Sequence, residues 1–353
     1  MQSLRTREFS RILLIKPSAL GDVVNALPVL PKLRARYPQA RIDWLVTPEN
    51  ALLVERHPDL SGVVLFDRRK FSRFGRNWPA TRDMLAWLAD LKRARYDLVV
   101  DLGGQLRTAL FCLATCARVR LGLEKAREGA GIVYSHRAPV PTYDVHAVDR
   151  YLSVAGVLGL DDSPPDFRIY LPDEVQAGVT RLLAEQGLAD RPFAVIAPGT
   201  IWETKHWTEA GFAAVGRRLR DRGLAVVLAG SPHDRARTQA VAAECPGAID
   251  LAGRTSVAEL VALIGRAALC VSNDSGAMHL AVAQQRPVVS VFGPTSPLRN
   301  GPYNRPEAVV RLDLPCSPCF IRKLRGCPYE HRCMRELAPE MVMQRAEEVM
   351  SDE

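Results

Sequence analysis

Short β-branched or leucine-rich runs alternate with helix-length segments along the whole chain, and this alternation constrains the fold more than any other feature. The runs are ILLI at 12–15, IDWLV at 42–46, VVLF at 63–66 and LVVD at 98–101, separated by segments such as ALPVLPKLRARYP and RDMLAWLADLKRARY. Strands that alternate with amphipathic helices build a parallel sheet with helices on its faces. After LDDSPPDFRIYLPDE, a Pro- and Asp-rich stretch of linker character, the pattern restarts with FAVIA at 193–197, AVVLA at 225–229, LCVS at 269–272 and VVSVF at 288–292. Two similar α/β halves are expected, with boundaries at 1–165 and 166–338. A last helix, PEMVMQRAEEVM, lies within 339–353 and has no sheet of its own to cover, so it is free to pack back across either half, the N-terminal domain included.

A length of 353 residues suits two domains, and 47% apolar with 24% charged residues is ordinary for a globular protein. No run approaches the roughly 20 apolar residues of a membrane span, and the start MQSLRTREFSRILLI lacks the apolar region and cleavage site of a signal peptide. The expected compartment is the cytoplasm. Residues 1–160 hold 25 Lys plus Arg against 15 Asp plus Glu, whereas the rest holds 22 against 24. A cationic N-terminal half attracts phosphate-bearing partners, either nucleic acid or an anionic lipid surface.

The first strand-to-helix turn reads KPSALGDVVNALP and carries one glycine, Gly21, followed by Asp22. A dinucleotide-binding turn needs G-x-G-x-x-G to seat a pyrophosphate, so its absence disfavours an NAD-dependent oxidoreductase. Asp22 is either a residue favoured by the helix dipole or a carboxylate that does chemistry. In the second half, CVSNDSGAMHLAVA reads as a strand followed by Asp274, then a helix opening at Ser275 and Gly276 with His279 one turn in. Ligands of open α/β sheets bind at the carboxyl ends of strands, and a helix N-terminus with free N–H groups suits a diphosphate. The other reading is a capped helix with a core histidine. APGTIWETKHW brings Thr200, Thr204 and Lys205 to the same sheet edge, and LAGSPHDRA adds Ser231 and Asp234, a carboxylate suited to a ribose diol. With the loop VFGPTSPLRNGP, four strand ends converge on something shaped like a nucleotide diphosphate.

The order of these pieces resembles glycosyltransferase family 9, the lipopolysaccharide heptosyltransferases, over most of the chain. The carriers are SALGDVVNALPVL, TKHW, NDSGAMHLAVA with RPVVSVFGPT, and HAVDRYLSVAGVLGL, the last most similar to the heptosyltransferase I branch. The resemblance implies a GT-B fold, in which two Rossmann-like domains with parallel sheets face each other across a cleft. The N-terminal domain would hold the acceptor and the C-terminal one ADP-heptose. It also implies inverting transfer of L-glycero-D-manno-heptose to the Kdo region of inner-core lipopolysaccharide without a catalytic cofactor. Asp22 would then be the general base. Lys205 would stabilise the departing diphosphate, with Thr200 and Thr204 beside it. Asp274, Ser275, Gly276 and His279 would hold the nucleotide phosphates, and Asp234 would lie near the ribose. The run TIWETK departs from the more hydroxyl- and acid-rich pattern of that branch.

The acceptor that the resemblance implies would account for the basic half. FDRRKFSRFGRNW and the residues after it supply Arg68, Arg69, Lys70, Arg73, Arg76 and Arg82 against a single acid, Asp67. Guanidinium forks suit the carboxylates of Kdo and the phosphates of lipid A. Phe71, Phe74 and Trp78 interleave with these charges, so the segment also fits a peripheral contact with the inner leaflet on its cytoplasmic face. A solvated loop is the bland reading. Arg107 and Arg127 are further acceptor-side candidates.

Cys112, Cys116, Cys245 and Cys270 lie in apolar contexts and read as core thiols. Cys316, Cys319, Cys327 and Cys333 form CSPCFIRKLRGCPYEHRC, whose spacing in a reducing compartment fits a structural zinc or iron site, with disulfides or free thiols as the alternatives. That loop also keeps open another family 9 transferase, such as a heptosyltransferase II-like or protein-modifying one. A basic nucleic-acid-binding α/β protein is the rival from a different class. No helix-turn-helix, RRM or zinc-finger pattern supports it, so nucleic acid is not an expected partner.

Overall fold

The computed structural model describes residues 3–142 and 144–351. The chain divides into two compact units, Met1–Tyr170 and Leu171–Glu353, so the division falls a few residues beyond the expected boundary. In the first unit six strands, β1 (Arg11–Ile15), β2 (Arg41–Val46), β3 (Gly62–Leu65), β4 (Leu98–Asp101), β5 (Val119–Leu123) and β6 (His136–Ala138), form one sheet in the order β3-β2-β1-β4-β5-β6. The second unit repeats this with β7 (Phe193–Ala197), β8 (Ala225–Leu228), β9 (Ile249–Asp250), β10 (Leu269–Asn273), β11 (Val288–Val291) and β12 (Val309–Val310), ordered β12-β11-β10-β7-β8-β9. Every pairing is parallel, and counted from the first strand of each unit the two orders are identical.

Burial explains which strands were readable. All four residues of β4, β8 and β11 and all five of β7 and β10 are buried, which demands apolar runs. The outer strands β6, β9 and β12 hold two or three residues each and carry no such run. In the first unit Leu13, Ile15, Leu45 and Val99 of the sheet pack with Phe66, Phe71 and Phe111.

The C-terminal helix Pro339–Ser351 belongs to the second unit. Val342, Met343 and Ala346 join the core of Trp207, Phe212 and the strands β10 and β11. Glu340 pairs with Arg218 of helix Glu209–Asp221 and Glu347 with Arg222 just past its end, fastening it at the rim.

Because all strands run the same way, the loops after them gather at one edge of each sheet. The order reverses between β1 and β4 and between β7 and β10, and such switch points open a crevice at the strand ends. Asp22 follows β1, Lys205 follows β7 and Asp274 follows β10, so the expected residues lie at these two positions.

Candidate active site

In the first unit Asp22 occupies the first turn of helix Leu20–Ala26. Its Oδ1 accepts the Tyr151 hydroxyl at 2.6 Å and lies 3.4 Å from the Lys16 ammonium, while Oδ2 accepts the Ala19 N–H at 3.3 Å. Lys16 is buried where β1 ends, with its Nζ 4.8 Å from the centre of the Tyr151 ring. Tyr151 arrives on helix Ala147–Leu152, whose Ala147, Val148 and Tyr151 are buried and which packs on helix Leu20–Ala26. The chain then turns at Gly159, a left-handed residue that a side chain would strain.

Asp22 keeps 41% of its side-chain surface exposed. Burial opposes ionisation, but the Lys16 charge and the Tyr151 hydroxyl outweigh that and hold the carboxyl below the usual aspartate range. Burial likewise opposes charge on Lys16, and the Asp22 carboxylate overcomes it, raising the ammonium. The arrangement is an ionised carboxylate with one oxygen fixed by a hydroxyl and a cation and the other open to a proton donor. Sequence reasoning did not single out Lys16 or Tyr151, although Tyr151 lies in a stretch that carried the resemblance and Lys16 just before another. Lys16 sits at a strand end, but nothing local ties Tyr151 to Asp22 across 129 residues.

In the second unit Lys205 Nζ lies 2.7 Å from Asp274 Oδ2, with 14% and 5% of the side-chain surfaces exposed. The Thr295 hydroxyl donates to the same carboxylate oxygen at 2.6 Å, and the Thr200 hydroxyl donates to the Asp274 carbonyl at 3.1 Å. Asn273 knits the strand ends together, donating to the Pro198 carbonyl and accepting the Trp207 N–H. Ser275 precedes helix Gly276–Ala283 and does not cap it; its buried hydroxyl oxygen has no hydrogen-bond partner. An unpaired hydroxyl and free N–H groups at a helix start are suited to an anion. His279 is buried within that helix. Asp234 packs against Gly199 and Gly230 so closely that a Cβ on either would collide with it, and its Oδ2 accepts the Ser231 N–H and hydroxyl. Thr200, Lys205, Asp274, Ser275 and Gly276 thus gather at one strand edge, with Asp234 beside Gly199.

Thr204 departs from expectation. It is buried, its hydroxyl donates to the Ile321 carbonyl at 2.5 Å, and its carbonyl accepts His331 Nε2–H at 2.6 Å. It therefore anchors the Cys-rich segment instead of facing a phosphate. That segment does not form the expected metal cage: among the described residues no group of three or more His, Cys, Asp or Glu side chains is placed to hold an ion. Cys319 is exposed, Cys316 and Cys327 are half-buried, and Cys333 is buried with its thiol pushed up to about 11 by burial and by the other three sulfurs. Cys116, read as a core thiol, is exposed.

The basic segment is also less uniform than its composition. Phe71 is buried against Phe66 and Trp87, whereas Phe74 and Trp78 are exposed. Asp83 pairs with Lys70 and Arg82, leaving Arg68, Arg69, Arg73 and Arg76 without an ion pair among the described residues. Arg107 and Arg127 are exposed further along the same unit.

Two doubly wound units of one topology, each with polar side chains at its switch point, are the architecture of GT-B glycosyltransferases. The solved E. coli ADP-heptose LPS heptosyltransferase II matches 97% of this chain and 99% of its own at a TM-score of 0.76 and 24% identity. The E. coli heptosyltransferase WaaC with ADP-2-deoxy-2-fluoro heptose matches 96% and 99% at a TM-score of 0.74 and 25% identity. Residues 84–330 match the model of glycosyltransferase family 9 (heptosyltransferase), and the chain belongs to that family. Lipopolysaccharide heptosyltransferase 1 of Pseudomonas aeruginosa is 32% identical over 327 residues, 91% of this chain and 88% of the relative. The protein is a glycosyltransferase.

Proposed function

We propose that this glycosyltransferase moves L-glycero-D-manno-heptose from ADP-heptose to the Kdo region of inner-core lipopolysaccharide, with inversion at the anomeric carbon. The observation that carries the reading is the half-exposed Asp22 carboxylate, held ionised by Lys16 and Tyr151. Its Oδ2, which accepts the Ala19 N–H and keeps a lone pair for a second donor, takes the proton of the acceptor hydroxyl as that oxygen attacks the anomeric carbon. The bond to the diphosphate breaks and ADP leaves from the opposite face. Charge builds on the leaving phosphates, and a fixed cation there stabilises the transition state more than the ground state. Lys205, oriented by Asp274, takes that role, with the Ser275 hydroxyl and the N-terminus of helix Gly276–Ala283 as further donors. The first unit is the acceptor side and the second the ADP-heptose side. The 1 branch is supported by the Pseudomonas relative and by the HAVDRYLSVAGVLGL stretch, which delivers Tyr151.

The acceptor is embedded in a bilayer, and the surface of the first unit fits a peripheral position on the cytoplasmic face of the inner membrane. No helix among the described residues is long and apolar enough to cross a membrane. Leu106, Leu110 and Leu113 instead form an exposed stripe at helical spacing on helix Leu106–Ala114, and Ile132 and Trp78 are exposed on the segments that contact that helix or its neighbour. The unpaired arginines of the 68–76 segment belong to the same unit. Apolar side chains flanked by guanidinium groups suit an anionic leaflet.

Mass spectrometry of a heptose-free Kdo–lipid A acceptor incubated with ADP-heptose tests the reading. The expected result is one added heptose with the wild type and none with Asp22→Ala; equal turnover by the variant removes Asp22 from its role.

A further inference from the structure

The Cys-rich segment has no part in the reaction as described, yet it is tied to both flanks of the donor-side strand ends. Beyond the two bonds to Thr204, the Glu203 carboxylate accepts the Leu324 N–H at 3.1 Å. On the other flank the Phe320 N–H donates to the Pro294 carbonyl at 2.7 Å and the Ser317 hydroxyl to the Gly293 carbonyl at 2.5 Å. The backbone on either side of residue 322 is therefore fixed to the residues just before Lys205.

These ties bring a second cation to the site. The Arg322 guanidinium carbon and the Lys205 ammonium each lie 4.7 Å from the centre of the Trp202 ring. Lys205 is balanced by Asp274, but Arg322 is exposed and has no ion pair among the described residues. Placing two cations on one indole costs repulsion, which an anion bound between or beside them would relieve. The same strand edge offers the unpaired Ser275 hydroxyl.

We propose that Arg322, carried by the Cys-rich segment and seated on Trp202, is a second diphosphate-binding residue of the donor site. This rests on the donor-site reading above and adds to it a group that neither the strand-end pattern nor the resemblance supplies. It gives the segment a purpose that needs no metal: a strap that sets a guanidinium beside the leaving group. A planar fork can meet two phosphate oxygens at once, which a lone ammonium does not do.

Calorimetric titration of the full chain with ADP, inorganic pyrophosphate and adenosine tests it. Wild type is expected to bind ADP, with pyrophosphate competing. Arg322→Gln should weaken ADP and pyrophosphate about tenfold or more, as for loss of a charge-assisted hydrogen bond, and leave adenosine unchanged. Arg322→Lys should recover part of the loss, and Arg325→Gln on the same segment should match wild type. If wild type does not bind ADP, the donor-site reading falls and the inference with it. If wild type binds ADP and Arg322→Gln binds it equally, only the inference is overturned. An equal loss for ADP and adenosine also overturns it, because the residue would then be shaping the site without touching phosphate.

Discussion

The Tyr151 hydroxyl donates to Asp22 Oδ1 at 2.6 Å, joining a helix from the end of the first unit to the turn after its first strand. With Lys16 at 3.4 Å from the same oxygen, this bond decides both the charge of Asp22 and the direction in which its other oxygen points. Tyr151 is thus a positioning residue for the proposed base.

Its removal has a signature in pH. A base works when deprotonated, so the acid limb of kcat/KM in the wild type should lie below the ordinary aspartate value of 3.8. Tyr151→Phe removes one of the groups that lower Asp22 and should move that limb upward, with a lower plateau. The linked stability follows the same sign. A depressed carboxyl contributes stability above its unfolded pKa, and the contribution is lost as pH falls through the folded one. A pH–rate profile of the variant that coincides with wild type would remove the positioning role.

The Lys205–Asp274 pair should matter to the fold as well as to ADP. Lys205→Met leaves a carboxylate that is 5% exposed with Thr295 as its one remaining side-chain partner among the described residues, and breaking such a buried pair costs about 3 kcal/mol. Urea denaturation should show that loss, and Lys205→Met with Asp274→Asn should lose less than the sum of the two single changes.

Gly122 tests the packing of the first unit. A Cβ there would meet the Tyr134 ring at 2.2 Å, and Tyr134 donates to the buried Asp101 at 2.8 Å. Asp101 also accepts the Gly103 N–H at 2.7 Å and so holds the loop that leads to Arg107. Gly122→Ala should destabilise the protein by about 1–3 kcal/mol, read from thermal unfolding. A variant as stable as wild type would show that the ring can move without loss.

Vesicle sedimentation should separate the two parts of the proposed lipid contact. The full chain is expected to bind vesicles containing phosphatidylglycerol and not pure phosphatidylcholine, less strongly as salt rises. Leu106→Ser with Leu110→Ser should release it, and so should replacing Arg68, Arg69, Arg73 and Arg76 by Gln. Light scattering gives the alternative: a wild-type oligomer that the leucine changes dissociate would assign the stripe to a second copy of the chain.

Thiol labelling distinguishes the cysteines by burial. At pH 8 Cys116 and Cys319 should react first, whereas Cys270, its thiol pushed up to about 12 by burial, and Cys333, at about 11, should react only on unfolding. Rapid labelling of Cys333 in the folded protein would contradict its placement.

The sequence by itself determined the repeated strand-and-helix order, because strands buried on both faces must be apolar runs and their helices must keep a 3.6-residue stripe. It also determined which polar residues follow the central strands, and hence that Asp22, Lys205 and Asp274 stand at strand ends. Only the tertiary structure decided what those residues touch. Tyr151 reaches Asp22 from 129 residues away, Asp83 pairs with both Lys70 and Arg82, Thr204 turns to the Ile321 carbonyl, and Arg322 meets Trp202. Local pattern reports burial one element at a time, whereas a hydrogen bond or an ion pair depends on which distant element the packing brings within a few ångströms.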